Sequence, residues 1–260
     1  MKRAYADIPE GQMHYRHAGN GEAVILLHMS GSASDEFEGA GNILAKDYAV
    51  YALDLLAFGE SDEPPRFYSF ADHAKTVISF MDAVGIQKAY IAGNLVGANI
   101  AVHIATTYPE RVKGLMLGQL CYYAGDSDHF KKLRGAPIFS KVEIKDDGSH
   151  MIEYWKRSAQ YGESAEVSND RAICLHKARD YGEALHWALC EDENFEERLP
   201  QIKVPTVCLN YSNTGNVEGI KAAADIIPNA QYEYLEKATP YIARATPERF
   251  AALFLKYFKK

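Results

Sequence analysis

Seven short stretches of the chain read as strands: HYRHA (14–18), AVILLH (23–28), AVYALD (49–54), AYIAG (89–93), GLMLGQ (114–119), TVCLNY (206–211) and YEYLE (232–236). Several are unbroken apolar runs. A strand with one wet face alternates polar and apolar residues, whereas a strand covered on both faces reads as a continuous run. Segments with helical spacing fall between them: SFADHAKTVISFMDAVG (69–85), ending on Gly85 as its C-cap, LVGANIAVHIATTYPE (95–110), EGIKAAADIIPNA (218–230) and TPERFAALFLKYF (246–258). Repeated strand–helix alternation with doubly covered strands predicts an α/β fold with a doubly wound, mostly parallel sheet.

One stretch breaks the alternation. From Tyr122 to Leu199 no strand pattern is found, and the sequence is rich in Tyr, Trp, His and charge. It reads as a helical insertion lying over the strand ends. The expected organisation is a core of residues 1–121 and 200–260 with a helical cap of residues 122–199.

Composition narrows the function. A net charge of −7 with no basic block argues against nucleic acid or a membrane surface as partner. The start, MKRAYADIPEG, has no apolar run behind its basic residues, and no stretch approaches a membrane span. The expected location is the cytoplasm. Cys121, Cys174, Cys190 and Cys208 are far apart with no C-x-x-C pair, which reads as buried free thiols. No His/Cys/Asp/Glu group has zinc spacing, GxGxxG is absent, and no Lys-Ser/Thr follows Gly93-x-x-x-Gly97, so neither a metal nor an organic cofactor is expected.

The segment YIAGNLVGANIA (90–101) is a strand, then Gly-x-x-x-Gly, then a helix of small residues. It resembles the nucleophile elbow, Gly-x-Ser-x-Gly, of the α/β-hydrolase fold, and five other segments resemble that family in the same order. LLHMSGSASDEF corresponds to its strand–His-Gly loop, and LDLLAFGESD to its D-x-x-G-x-G-x-S turn. YPERVKGLMLG, Val204-Pro205-Thr206 and TPERF correspond to the run into the sixth strand, a late strand start and the C-terminal helix start. The resemblance covers nearly the whole chain.

The resemblance also implies where a Ser–acid–His triad would sit. The nucleophile slot is Leu95, the acid slot falls in NYSNTG on Thr214 beside Asn213, and the histidine slot, counted back from TPERF, is Pro240. None of the three can do the triad's work, because a nucleophile needs its base and the base needs its orienting acid. The oxyanion donors implied by the family are backbone N–H groups at Val96 and near Ser30. Met29 stands where the family has the Gly of its His-Gly pair, and Ala57 where the second turn has Gly.

The sequence reading is therefore a hydrolase-fold protein without a triad, either a natural pseudoenzyme or an engineered variant, keeping a capped pocket for a small, largely apolar molecule. Candidate lining residues are His28, Met29, Ser30, Asn94, Leu95 and Val96 from the core, with Tyr122 and Trp155 from the insertion. Against this, His28 has the structural role that the family gives its loop histidine, Leu95 is plain packing, and most rings of the insertion (Tyr123, Tyr161, His176, His186, Trp187) are helix-packing core. Two alternatives stay open. One is an enzyme of hydrolase or lyase type using non-triad residues such as His28, Ser30 or Ser32 in the same pocket. The other is an interaction scaffold.

Overall fold

The computed structural model describes residues 1–126, 128–132, 142–159, 163–178, 181, 184–192, 194–212 and 216–259. Eight strands form one sheet: β1 (Lys2–Ile8), β2 (Gly11–Ala18), β3 (Glu22–Leu27), β4 (Tyr48–Leu53), β5 (Ala89–Asn94), β6 (Val112–Gly118), β7 (Thr206–Tyr211) and β8 (Gln231–Leu235), in the order β1-β2-β4-β3-β5-β6-β7-β8. The β1–β2 and β2–β4 pairs are antiparallel and every other pair is parallel. This is the expected mostly parallel sheet, with its parallel strands bringing their C-terminal ends to one edge.

The apolar runs are explained by helices on both faces. Successive side chains of a strand point to opposite faces. On β3, Ile25 and Leu27 join one buried cluster, while Val24 and Leu26 join the other. The first cluster is filled from α2 (Phe70–Ala83), α3 (Val96–Thr107) and α9 (Val217–Ile226), and the second from α1 (Glu38–Leu44), α10 (Ile242–Ala245) and α11 (Pro247–Phe258). α2 starts on a capping box in which Ser69 and Asp72 satisfy each other's backbone N–H groups.

Two elements go beyond the sequence reading. β1 pairs with β2 at the sheet edge, and of its seven residues only Ala6 and Ile8 are buried, so it carries little of the apolar signal. α1 is a seven-residue helix, EGAGNIL, in which two glycines blunt the helical pattern. Between β6 and β7 lie α4 (His129–Lys132), α5 (His150–Ser158), α6 (Ala165–Lys177), α7 (Ala184–Glu191) and α8 (Phe195–Arg198), and no strand occurs there among the described residues. None of the described helices is long and apolar enough to cross a membrane. The four cysteines are free, but only Cys190 and Cys208 are buried; Cys121 and Cys174 are partly exposed.

Candidate functional site

The turn from β5 into α3 lies at the C-terminal edge of the sheet, where open α/β sheets form their crevice. Leu95 is its apex, at φ 48° and ψ −118°, and it accepts from Ala98 N–H while its own N–H donates to the Gly118 carbonyl. A leucine in this left-handed region is strained. The flanking glycines explain how the strain is held. A Cβ on Gly93 would lie 2.2 Å from the Gly97 carbonyl oxygen, and one on Gly97 would lie 2.4 Å from the Leu27 carbonyl oxygen. Only glycine lets the helix start sit this close to β3 and β5.

Around the apex, Met29 has no exposed surface and packs with Val167 of α6 and Tyr241, and Leu95 packs on the same group. Met29 and Leu95, expected as an apolar floor, are thus in a cluster that includes a side chain of the insertion. The space beside them is a cleft of about 10 Å³, the room of about one water molecule, between Ser32, Glu36, Val167, Arg171, Tyr241 and Arg244. Its walls are more charged than the sequence reading expected. Arg244 pairs with Asp35 of the core at 3.6 Å and with Asp170 of α6, so one guanidinium joins core and insertion.

The polar centre of this site is Glu36, which the sequence reading missed. It lies in the 3-10 turn Ser34–Phe37 and is 1% exposed. Burial pushes its carboxyl up to about 7, against the opposing pull of hydrogen bonds from Ser32 and Asn94. Asn94 Nδ2 donates to Glu36 Oε1 at 3.4 Å and to the Pro240 carbonyl, while the Tyr211 hydroxyl donates to Asn94 Oδ1 at 3.1 Å. Glu36 Oε2 has no hydrogen-bond partner among the described residues. In sequence, Asp35-Glu36 reads as acids in the first turn of a short helix, and nothing in the pattern marks the second as buried.

The structure therefore brings Met29, Asn94, Leu95 and Val96 to one turn, with Pro240 held against it by Asn94. Ser30 is buried in the loop after β3. Thr214 and Tyr161 lie outside the described residues. Three candidates are placed otherwise. His28 is fully buried, its Nδ1 meets the Met29 carbonyl oxygen at 2.7 Å, and its Nε2 accepts from Leu55 N–H at 3.1 Å. Both ring nitrogens serve the backbone, and burial lowers the imidazole's basicity, so His28 holds the loop and offers no base to a ligand. Trp155, on α5, is 43% exposed and does not join the cluster at the turn. Tyr122 lines a separate groove beside α3. Of the other rings, His176 packs edge-on to Tyr154 within the insertion, and Trp187 meets Phe67 of the core.

A sequence model described as the α/β hydrolase fold matches residues 22–130. Among curated proteins, the chain is 34% identical over 119 residues to 2-hydroxy-6-oxo-6-phenylhexa-2,4-dienoate hydrolase of Comamonas testosteroni, a match covering 43% of this chain and 41% of that protein. It is 24% identical over 226 residues to bifunctional epoxide hydrolase 2 of Mus musculus, covering 83% of this chain and 40% of that one. The chain thus spans about two fifths of the length of these curated relatives. Among solved structures, the enol-lactonase from Burkholderia xenovorans superposes with a TM-score of 0.79 at 18% identity, covering 99% of this chain and 100% of that one. Likeness at that identity is a likeness of fold.

Proposed function

Starting from a chain with the α/β-hydrolase fold, we propose a protein that binds a small, largely apolar molecule between the β5–α3 turn and a cap formed by the insertion, and that does not use a serine nucleophile at that turn. The observation that carries this reading is Leu95 at φ 48° on the apex, a hydrocarbon where the resemblance implies a hydroxyl. Pro240, in the slot implied for the base, contributes only its backbone carbonyl to Asn94. The apolar group of Met29, Leu95, Val167 and Tyr241 supplies the chemistry for such a ligand. Because the cleft beside it holds about one water, a ligand enters by displacing Val167 and with it α6 from the core.

Two measurements test the proposal together. A fluorophosphonate serine probe should give no covalent adduct, and a screen of small aromatic and aliphatic compounds should raise the melting temperature by mass action on the folded state. Leu95→Arg should abolish the shift by placing a charge in the pocket floor. Stoichiometric labelling mapped to a serine of the LLHMSGS loop would replace the reading with a relocated nucleophile.

A second reading has its own observation. Glu36, its carboxyl pushed up to about 7 by burial and its Oε2 without a hydrogen-bond partner among the described residues, has the properties of a general acid–base group. An enzyme of this kind would keep turnover in Leu95→Ala and lose it in Glu36→Gln. Turnover with that pattern displaces the silent binding protein.

A further inference from the structure

A second cavity lies away from the β5–α3 turn and shares no lining residue with the cleft at Glu36. It is a groove of about 500 Å³ between α3, the segment after β6, and helices α7 and α8. That volume is in the range of small-molecule sites. We propose that it binds a small organic cation, an ammonium group carrying an apolar body.

Its walls are aromatic. Tyr122 and Phe195 are inclined to each other at 45° with ring centroids 6.4 Å apart, and Tyr123, one face of which is stacked on His129 at 3.5 Å, meets Phe130 edge-to-face at 5.6 Å. Leu189 and Ile226 complete the apolar surface. Among the described residues, every charged side chain that lines the groove is acidic: Asp126, Asp192, Glu196 and Glu197. Two of these are already engaged within the protein: Asp126 pairs with Lys132 at 2.6 Å, and Asp192 is hydrogen-bonded to His103 Nε2 at 3.1 Å. Glu196 and Glu197 are both exposed, and neither forms an ion pair among the described residues. Glu196 lines the same groove as Tyr122, which places a carboxylate beside the aromatic wall.

Aromatic faces and an unneutralised carboxylate attract the same ligand. A ring's negative face favours a cation, a carboxylate at its edge adds an ion pair, and an anion is repelled by both. The net charge of −7 extends the attraction beyond the groove. A metal ion or a strongly hydrated ammonium would gain little from the rings, whereas a substituted ammonium sheds its weak hydration and buries its carbon substituents against them.

Calorimetric titration of the whole chain with choline, and with its uncharged carbon isostere, tests the proposal. Choline should bind saturably and roughly tenfold or more tightly than the isostere, the discrimination expected of a partly desolvated cation–π site. Glu196→Gln should weaken choline about tenfold and leave the isostere unchanged. Phe195→Leu, which keeps the apolar volume and safeguards folding, should weaken choline with no change in the melting temperature of the free protein. No saturable binding of choline, equal affinity for choline and isostere, or full choline affinity in both variants would overturn the assignment.

Discussion

Asn94 donates its side-chain amide to the backbone carbonyl of Pro240, tying the last residue of β5 to the loop that follows β8. The bond spans most of the sequence and lies in a buried setting, with Tyr211 and Glu36 on the same amide. One side chain therefore sets the distance between two of the three segments that meet at the turn.

Replacing Asn94 by leucine, which is similar in size, should be strongly destabilising. It strands the Pro240 carbonyl in a buried site, at a cost of roughly 1–3 kcal/mol, and removes the hydrogen bonds that Tyr211 and Glu36 make to the amide. Denaturant unfolding should show a loss of about 2–5 kcal/mol without a change in m-value. A loss under about 0.5 kcal/mol would mean that the network relaxes to other partners.

Stability should depend on pH through buried groups of opposite sign, of which Glu36 and His73 show the two directions. Glu36 has its folded pKa raised to about 7, so its contribution is full below its unfolded pKa near 4.5 and is lost as pH rises to 7. His73 is buried with no hydrogen-bond partner on either ring nitrogen among the described residues, and burial pushes it down to about 4. Its contribution is full above 6.5 and is lost as pH falls to 4. Between pH 4.5 and 6.5 Glu36 opposes His73 and the other two buried imidazoles with lowered basicity, His28 and His186, so it offsets only part of the decline on acidification. Glu36→Gln should remove one arm, gaining roughly 3 kcal/mol at pH 8 relative to wild type and unmasking a decline on acidification. Parallel profiles for wild type and variant would show that Glu36 titrates normally in the fold.

Ala57 has φ 76°, the left-handed conformation that a side chain opposes, and its N–H is committed to the Asp62 carbonyl at 2.8 Å. Glycine removes a penalty of roughly 1–2 kcal/mol and returns about half of it through a freer unfolded chain. Ala57→Gly should thus raise stability by roughly 0.5–1 kcal/mol, readable as a higher melting temperature. A lower one would mean that the small loss of buried surface outweighs the relief.

Leu95→Ser should be a poor esterase. The new hydroxyl has no base, because Pro240 occupies the implied position, and members of such a triad act as a unit. Activity toward activated aryl esters should rise less than about tenfold over wild type. Adding Thr214→Asp and Pro240→His should exceed the single change. Equal activity in the single and triple variants would show that the other two slots are wrongly placed.

What the sequence conveyed and what it concealed follow from the range of the interactions. Runs such as AVILL and YIAG report burial on both faces, so the parallel strands were legible from neighbours alone. The Gly93-x-x-x-Gly97 spacing located the turn, because the close approach of backbones there forbids any other residue. β1 escaped notice because an edge strand buries only two side chains. Glu36 escaped notice for a different reason. Its burial is created by Asn94, far along the chain, and by α6, and no local pattern encodes that. The placement of Trp155 is not legible in sequence, because an aromatic in a helical insertion carries no mark of which face it occupies; the structure leaves it partly exposed on α5.

The fixings of the β5–α3 turn lie in its backbone, in the two glycines and in the amide of Asn94, and the side chain at position 95 adds only its packing against Met29, Val167 and Tyr241. The turn is in that sense a socket, rigid where it is anchored and indifferent to what is plugged into it. What position 95 presents can be exchanged in a single mutational step while the mounting endures. A lineage built on this socket can gain, lose or regain a reactive group without first rebuilding the protein around it.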